Sequence, residues 1–206
     1  MMVWYLVMTE SIVTSSPQTG LIKELNYEVK SGDLTYALNK PYSYILYHYA
    51  KKLSQGMVAF ILTFGIGSLI AFLLIGNIKL SLISIPFILL SILLAFTLDF
   101  TITSIIGISA FWLEDTNSFR YTYEKLVFIL GGMLVPLEIF PEWLRIISSK
   151  LPFSYMAYHP AKLFVMFDLK YFFEVTSIQL VYILIFGLVL FFLYKKAVKK
   201  VNIHGG

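Results

Sequence analysis

The sequence predicts an all-α fold, a polytopic helical membrane protein, and three observations carry that prediction. Hydrophobic residues make up 58% of the chain and charged residues only 14%, a balance far from that of a soluble globule. Several uncharged apolar runs approach or exceed the roughly 20 residues that a helix needs to cross a bilayer. These runs are continuous rather than alternating, so the spanning elements are helices and not the strands of a closed barrel.

Composition also bounds the function. The 206 residues form a single membrane domain, with no room for a soluble catalytic domain beside it. The net charge of +4 does not point to nucleic acid, because the basic residues are spread over loops flanking apolar runs, as orientation signals are. The chain has no cysteine, which excludes disulfides and thiolate metal sites. His48, His159 and His204 lie far apart without paired ligand spacing, so no metal site is expected.

The elements follow in order. Residues 1–16 are apolar with Thr9, Glu10 and Ser11 set into them; they lack the basic start and small-residue cleavage site of a secretory signal. They read as a partial span, the second half of a helix whose first part lies upstream. Residues 17–56 form a polar segment expected on the cytoplasmic side. Within it, Ser31-Gly32-Asp33 offers a turn, with the Asp33 carboxylate capping a short helix over Leu34 to Asn39. Pro41 stops that helix and can begin the next. The next helix, Tyr42 to Ser54, carries tyrosines suited to the headgroup level and is expected to lie at the interface.

Full spans are expected at 57–75, 80–113, 123–140 and 175–194. Gly65, Gly67 and Ala71 in the first, with Ser91 and Ala95 in the second, offer small faces for close helix packing. Lys79 marks the interface between these two spans. The run 80–113 contains Asp99, which is read as an interfacial or helix-packing charge ahead of a substrate or proton site. Counted as one crossing, this run puts the early polar segment, the Glu114–Lys125 loop and the lysine-rich tail on one side. Together they hold eleven of the sixteen Lys and Arg residues, so the positive-inside rule places them, and the C-terminus, in the cytoplasm. Residues 141–174, with their approach through Pro136, Glu138 and Pro141 and on through Trp143, Pro152 and Phe153, are too apolar for a solvated loop and too broken for a span. Short half-inserted helices on the outer side satisfy both constraints. Glu138 is expected to face outer headgroups or a polar vestibule.

The stretches VKSGDLTYALNKP, FWLED and GGMLVPLEIFPEWLRIISSKLPFSYMAYHP resemble the ABC-2 family of transporter permeases, in its six-span branch long catalogued as a domain of unknown function. The likeness covers nearly the whole chain. It implies one ABC-2 type transmembrane domain over 1–206, preceded in the family by one span more than this sequence shows. It also implies that Gly32, Asp33, Leu34, Tyr36, Leu38, Lys40 and Pro41 form the element that seats in a separate ABC ATP-binding subunit. No Gly-x-x-x-x-Gly-Lys-Ser/Thr loop occurs in the chain, so ATP and Mg are expected on that partner and no cofactor on this chain. The resemblance further implies a second permease subunit, a cell-membrane location and export as the direction. The alternative reading is a passive channel or a membrane scaffold without ATPase coupling. An intramembrane enzyme would need facing polar pairs within the spans, and only Asp99 and scattered hydroxyls are available.

Overall fold

The computed structural model describes residues 1–16, 18–33, 36, 40–78, 80–113 and 116–204. Helix α1 (Met2–Ser15) ends where Ser16 turns extended, and α2 (Gln18–Ser31) follows at once. Helix α3 (Tyr44–Ile75) is one unbroken element with Ser43 as its N-cap. A 3-10 turn at Leu82–Ser84 leads into α4 (Ile85–Ile108), and a second at Ser109–Phe111 continues it. Then come α5 (Asn117–Leu130), a 3-10 turn at Leu137–Ile139, and the short helices α6 (Glu142–Lys150), α7 (Pro152–Met156) and α8 (Tyr158–Val165). The chain closes with α9 (Leu169–His204). No strand occurs among the described residues.

Among the described residues, three helical stretches are long and apolar enough to cross a membrane: Tyr44–Ile75, Leu82–Phe111 and Leu169–Lys199. The middle one is the core. Of its most apolar window 44% is buried, against 11% for α3 and 22% for α9, so α4 is the most enclosed of the three while the other two present most of their surface outward. Large apolar side chains such as Ile61, Leu73, Leu184 and Phe192 are exposed, which is stable only against lipid or another chain.

Small residues set the helix packing. A Cβ at Gly67 would lie 2.9 Å from Val7 Cγ1, and one at Gly56 would lie 3.0 Å from the Ser15 carbonyl; both glycines bring α3 close to α1. Gly107 does the same for α2, since a Cβ there would meet Leu25 Cβ at 2.8 Å. Ser91 of α4 packs on α9, where Gln179 donates to its carbonyl at 3.1 Å. Gly67 and Ser91 therefore serve different neighbours, α1 and α9, while a Cβ at Gly65 would meet nothing within 4 Å.

Two expectations about the elements change. The interfacial helix expected over Tyr42 to Ser54 and the span expected at 57–75 are one helix, because Gly56 is a packing position inside it and not a break. The span expected at 123–140 is replaced by α5, which stops at Leu130. Gly132 then adopts a φ of +75°, where a Cβ would sit 2.9 Å from the Tyr5 hydroxyl. Left-handed backbone and a close approach both require glycine there, and they turn the chain after α5. Within the run 80–113, Leu82–Phe111 is one continuous helical stretch, long and apolar enough to cross a membrane. Lys79 and Glu114 lie outside the described residues.

Candidate functional site

The polar segment after α1 is built from two facing helical stripes. On α2, Leu21, Ile22 and Leu25 are fully buried against α4, and the charged residues Glu24 and Glu28 share another face four residues apart. On the first turns of α3, Tyr44, His48, Lys51 and Lys52 fall on one stripe by the same helical spacing. The stripes meet: Lys51 Nζ is 2.5 Å from Glu24 Oε1 and Lys52 Nζ 2.7 Å from Glu24 Oε2. The Tyr44 hydroxyl donates to Glu28, and His48 Nε2 lies 3.3 Å from Glu28 Oε2. Burial pushes the Glu24 carboxyl up, and the two ammonium groups more than offset this and hold it below the ordinary carboxylate range.

Glu24, Glu28 and His48 each bring one possible metal-ligand atom within 4.8 Å of the others. The donor set does not fit a divalent cation, however. Both Glu24 oxygens are occupied by lysine ammonium groups, whose charge repels a metal at the same place. The cluster is an ion-paired clamp that fixes α2 to the foot of α3.

The residues singled out beyond α2 lie at the surface. Gly32 has a φ of +81°, the conformation that ends a helix after its last turn. Asp33 is exposed, and its carboxylate accepts from the Ser31 hydroxyl at 2.7 Å. Tyr36, Lys40 and Pro41 are exposed too, with Lys40 over the Tyr42 ring at 5.8 Å. Leu34 and Leu38, and with them the short helix expected over 34–39, lie outside the described residues. The next helix starts at Tyr44 on the Ser43 cap rather than at Pro41.

Asp99 is enclosed by protein. It is 1% exposed in the interior of α4, where it accepts from the Ser16 hydroxyl at the end of α1 and from Tyr123 of α5 at 2.5 Å. Three elements thus converge on one carboxylate, an arrangement that ties α1, α4 and α5 together.

In the outer segment, Pro136 and Pro141 bracket the 3-10 turn and start α6, while Pro152 opens α7. Trp143 is exposed on α6 together with Ile146 and Ile147. Phe153 packs edge-on to Tyr123, and Met156 Sδ lies 3.4 Å from the Tyr123 hydroxyl. The Glu138 carboxylate accepts from Lys162 Nζ at 2.8 Å and from the Tyr158 hydroxyl. Burial raises the Glu138 carboxyl, and these two donors outweigh it and hold the group low.

Other junctions were not singled out in the sequence. Gln179 of α9 is fully buried, and its amide donates to Ser91 O at 3.1 Å and Tyr155 O at 2.9 Å. His159 is buried with Nδ1 2.6 Å from the Tyr171 hydroxyl and Nε2 3.3 Å from Ser149 O. A lone glutamine in an apolar run, and the four-residue repeats Glu24–Glu28 and Tyr44–His48–Lys52, were the available signals.

This arrangement offers helices that cross a membrane, a clamped amphipathic helix beside an exposed turn, and no grouping of nucleophile, base and oxyanion donors among the described residues. No curated protein and no solved structure matches the chain. A family model described as ABC-2 family transporter protein matches residues 1–205. With that match over almost its entire length, and with the all-α membrane architecture described above, the chain belongs to the ABC-2 transporter family.

Proposed function

We propose that this chain is the membrane-spanning permease subunit of an ATP-binding cassette exporter, driven by a separate ATP-binding subunit that carries ATP and Mg. The observation that carries the reading is the clamped foot. The exposed turn at Gly32, Asp33, Tyr36, Lys40 and Pro41 lies between α2 and α3, which are ion-paired to each other. Because α2 also buries Leu21 and Leu25 against α4, displacement of this turn on nucleotide-driven closure moves two spans as one body. A passive channel or scaffold has no use for such a transmission.

The lysine-rich end of α9 and the foot of α3 then face the cytoplasm, in keeping with their lysines. Helices α6–α8 form the outer re-entrant segment. Trp143, Ile146 and Ile147 suit α6 to the headgroup layer, and α7 returns to the Tyr123–Asp99 contact. A second permease subunit, identical or related, covers the outward apolar faces.

The test is co-purification from the native host with a tagged chain. Wild type is expected to bring down a nucleotide-binding subunit, and a Tyr36→Asp plus Lys40→Glu variant to lose it while eluting as a folded protein. Both residues are exposed, so the variant spares the core. A wild-type chain recovered without an ATPase, or with one indifferent to the variant, overturns the coupling assignment.

A further inference from the structure

Helix α2 is held by more than the clamp. Asn26 is two residues from both Glu24 and Glu28, which at 3.6 residues per turn puts it on the opposite side of the helix. Its Nδ2 donates to Thr116 Oγ1 at 2.6 Å. Thr116 is the N-cap residue of α5 and is fully buried. Helix α2 is thus tied to α3 on one side and to α5 on the other.

Helix α5 is built to carry that tie across the molecule. Its buried residues Arg120, Tyr123 and Val127 form one stripe with Thr116 at helical spacing. Arg120 pairs within the helix, with Glu124 at 2.8 Å. Tyr123 meets the outer segment, its hydroxyl 3.4 Å from Met156 Sδ and its ring edge-on to Phe153. Just past the end of the helix, a Cβ at Gly131 would lie 3.1 Å from the Phe153 carbonyl, and the chain at Gly132 packs on Tyr158. The 14 residues of α5 span roughly 20 Å, and the helix cannot shorten without breaking its own backbone bonds. Thr116 at one end and the contacts on α7 and α8 at the other therefore move together. Thr116, Tyr123 and Val127 are buried within this one chain, so the stripe stands whatever else packs on its outer faces.

We infer that Asn26 is the positioning residue through which α2 sets the outer segment, with α5 as the connecting rod. Hydrogen bonds and rigid elements are the physical means by which distant sites are coupled. The inference rests on the permease reading and extends it. Displacement of the exposed turn reaches α3 through the clamp and α4 through Leu21 and Leu25; it reaches α7 and α8 through Asn26, Thr116 and α5. The two ties differ in kind. The clamp is ionic and multiple, whereas the joint to α5 is one neutral amide–hydroxyl bond, removable without leaving a charge unpaired.

Amide hydrogen exchange tests the rod, read peptide by peptide by mass spectrometry on the full chain in nanodiscs, with the subunits that co-purify and without nucleotide. Thr116→Val removes the hydroxyl and keeps the shape, and Asn26→Leu removes the amide from the other side. Both are expected to speed exchange about fivefold in peptides of α5 and of 153–165, with α9 unchanged and Thr116→Ser restoring wild-type rates. Glu24→Gln is expected to act elsewhere, speeding exchange in the first turns of α3 and leaving 153–165 as in wild type. Unchanged exchange in 153–165 in either joint variant, or a rise shared equally by α3 and α9, overturns the inference. Because no nucleotide is used, this result is independent of the permease reading, whose own failure shows as a chain recovered without an ATPase.

Discussion

Asp99 in α4 and Glu10 in α1 are both acids set in apolar helices, yet the fold deals with them in opposite ways. Asp99 is closed over by three elements and receives hydroxyls from Ser16 and Tyr123. Glu10, on the outer face of the neighbouring helix, has one threonine and a groove. The difference teaches that a charge set in an apolar helix is held in place where the protein itself supplies its donors, and stays open where it does not. His159 is closed in the same sense as Asp99, and Glu138 stands between the extremes.

The largest effect is expected at the closed carboxylate. Asp99→Ala leaves the buried Tyr123 hydroxyl without its acceptor and should cost about 3 kcal/mol of stability. Tyr123→Phe should cost about 1 kcal/mol, and the double variant less than the sum, as read from thermal unfolding in detergent. Additive costs would mean that the two side chains do not act as a pair.

Next comes His159, held down to about 4 by burial, with Lys162 adding to the effect and the Ser149 carbonyl and Glu138 opposing it. The native imidazole stays neutral while the unfolded one, near 6.5, takes a proton. Its contribution is thus complete above about pH 6.5 and is lost as pH falls toward 4, by roughly 2 to 3 kcal/mol. A His159→Gln variant should show a flatter unfolding profile over that window.

Glu138 should matter less and at lower pH. Its native carboxyl is held below the ordinary value by Lys162 and Tyr158 against the opposing effect of burial. Its contribution is present above about pH 4.3 and disappears as pH falls through the native value. Half of the Glu138 side chain is exposed, so solvent screens the pair and the loss is small; Glu138→Gln should remove it. The smallest effect is expected at the open acid. Glu10→Gln should change the unfolding midpoint by the equivalent of less than about 0.5 kcal/mol, and a loss as large as that of Asp99→Ala would erase the contrast.

Much of the architecture was legible because apolar run length is a one-dimensional property. The helical stretches around 57–75, 80–113 and 175–194 follow from almost uncharged apolar runs in sequence, and the helix continues through Asp99 without a break. The third expected span, 123–140, reads as continuous because α5 and the chain after Gly132 are together as apolar as a crossing. The turn is imposed by Tyr5 and Tyr158 packing on Gly132, contacts more than 120 and about 26 residues away in sequence. The coupling stretch was located by motif, whereas the clamp beneath it was not, since Glu24 and Lys52 look like ordinary solvated charges until α2 and α3 are laid side by side.

By itself the sequence determined the solvent, the helical class, the main crossings and the family, because hydropathy, length and motif are carried by consecutive residues. Only the tertiary structure decided which acid is buried and bonded and which is open, that α4 is the core, and that the third crossing is broken. Those outcomes depend on which helix faces lie within a few ångströms of one another, and a hydrogen bond or a glycine contact has that short range whatever the separation along the chain.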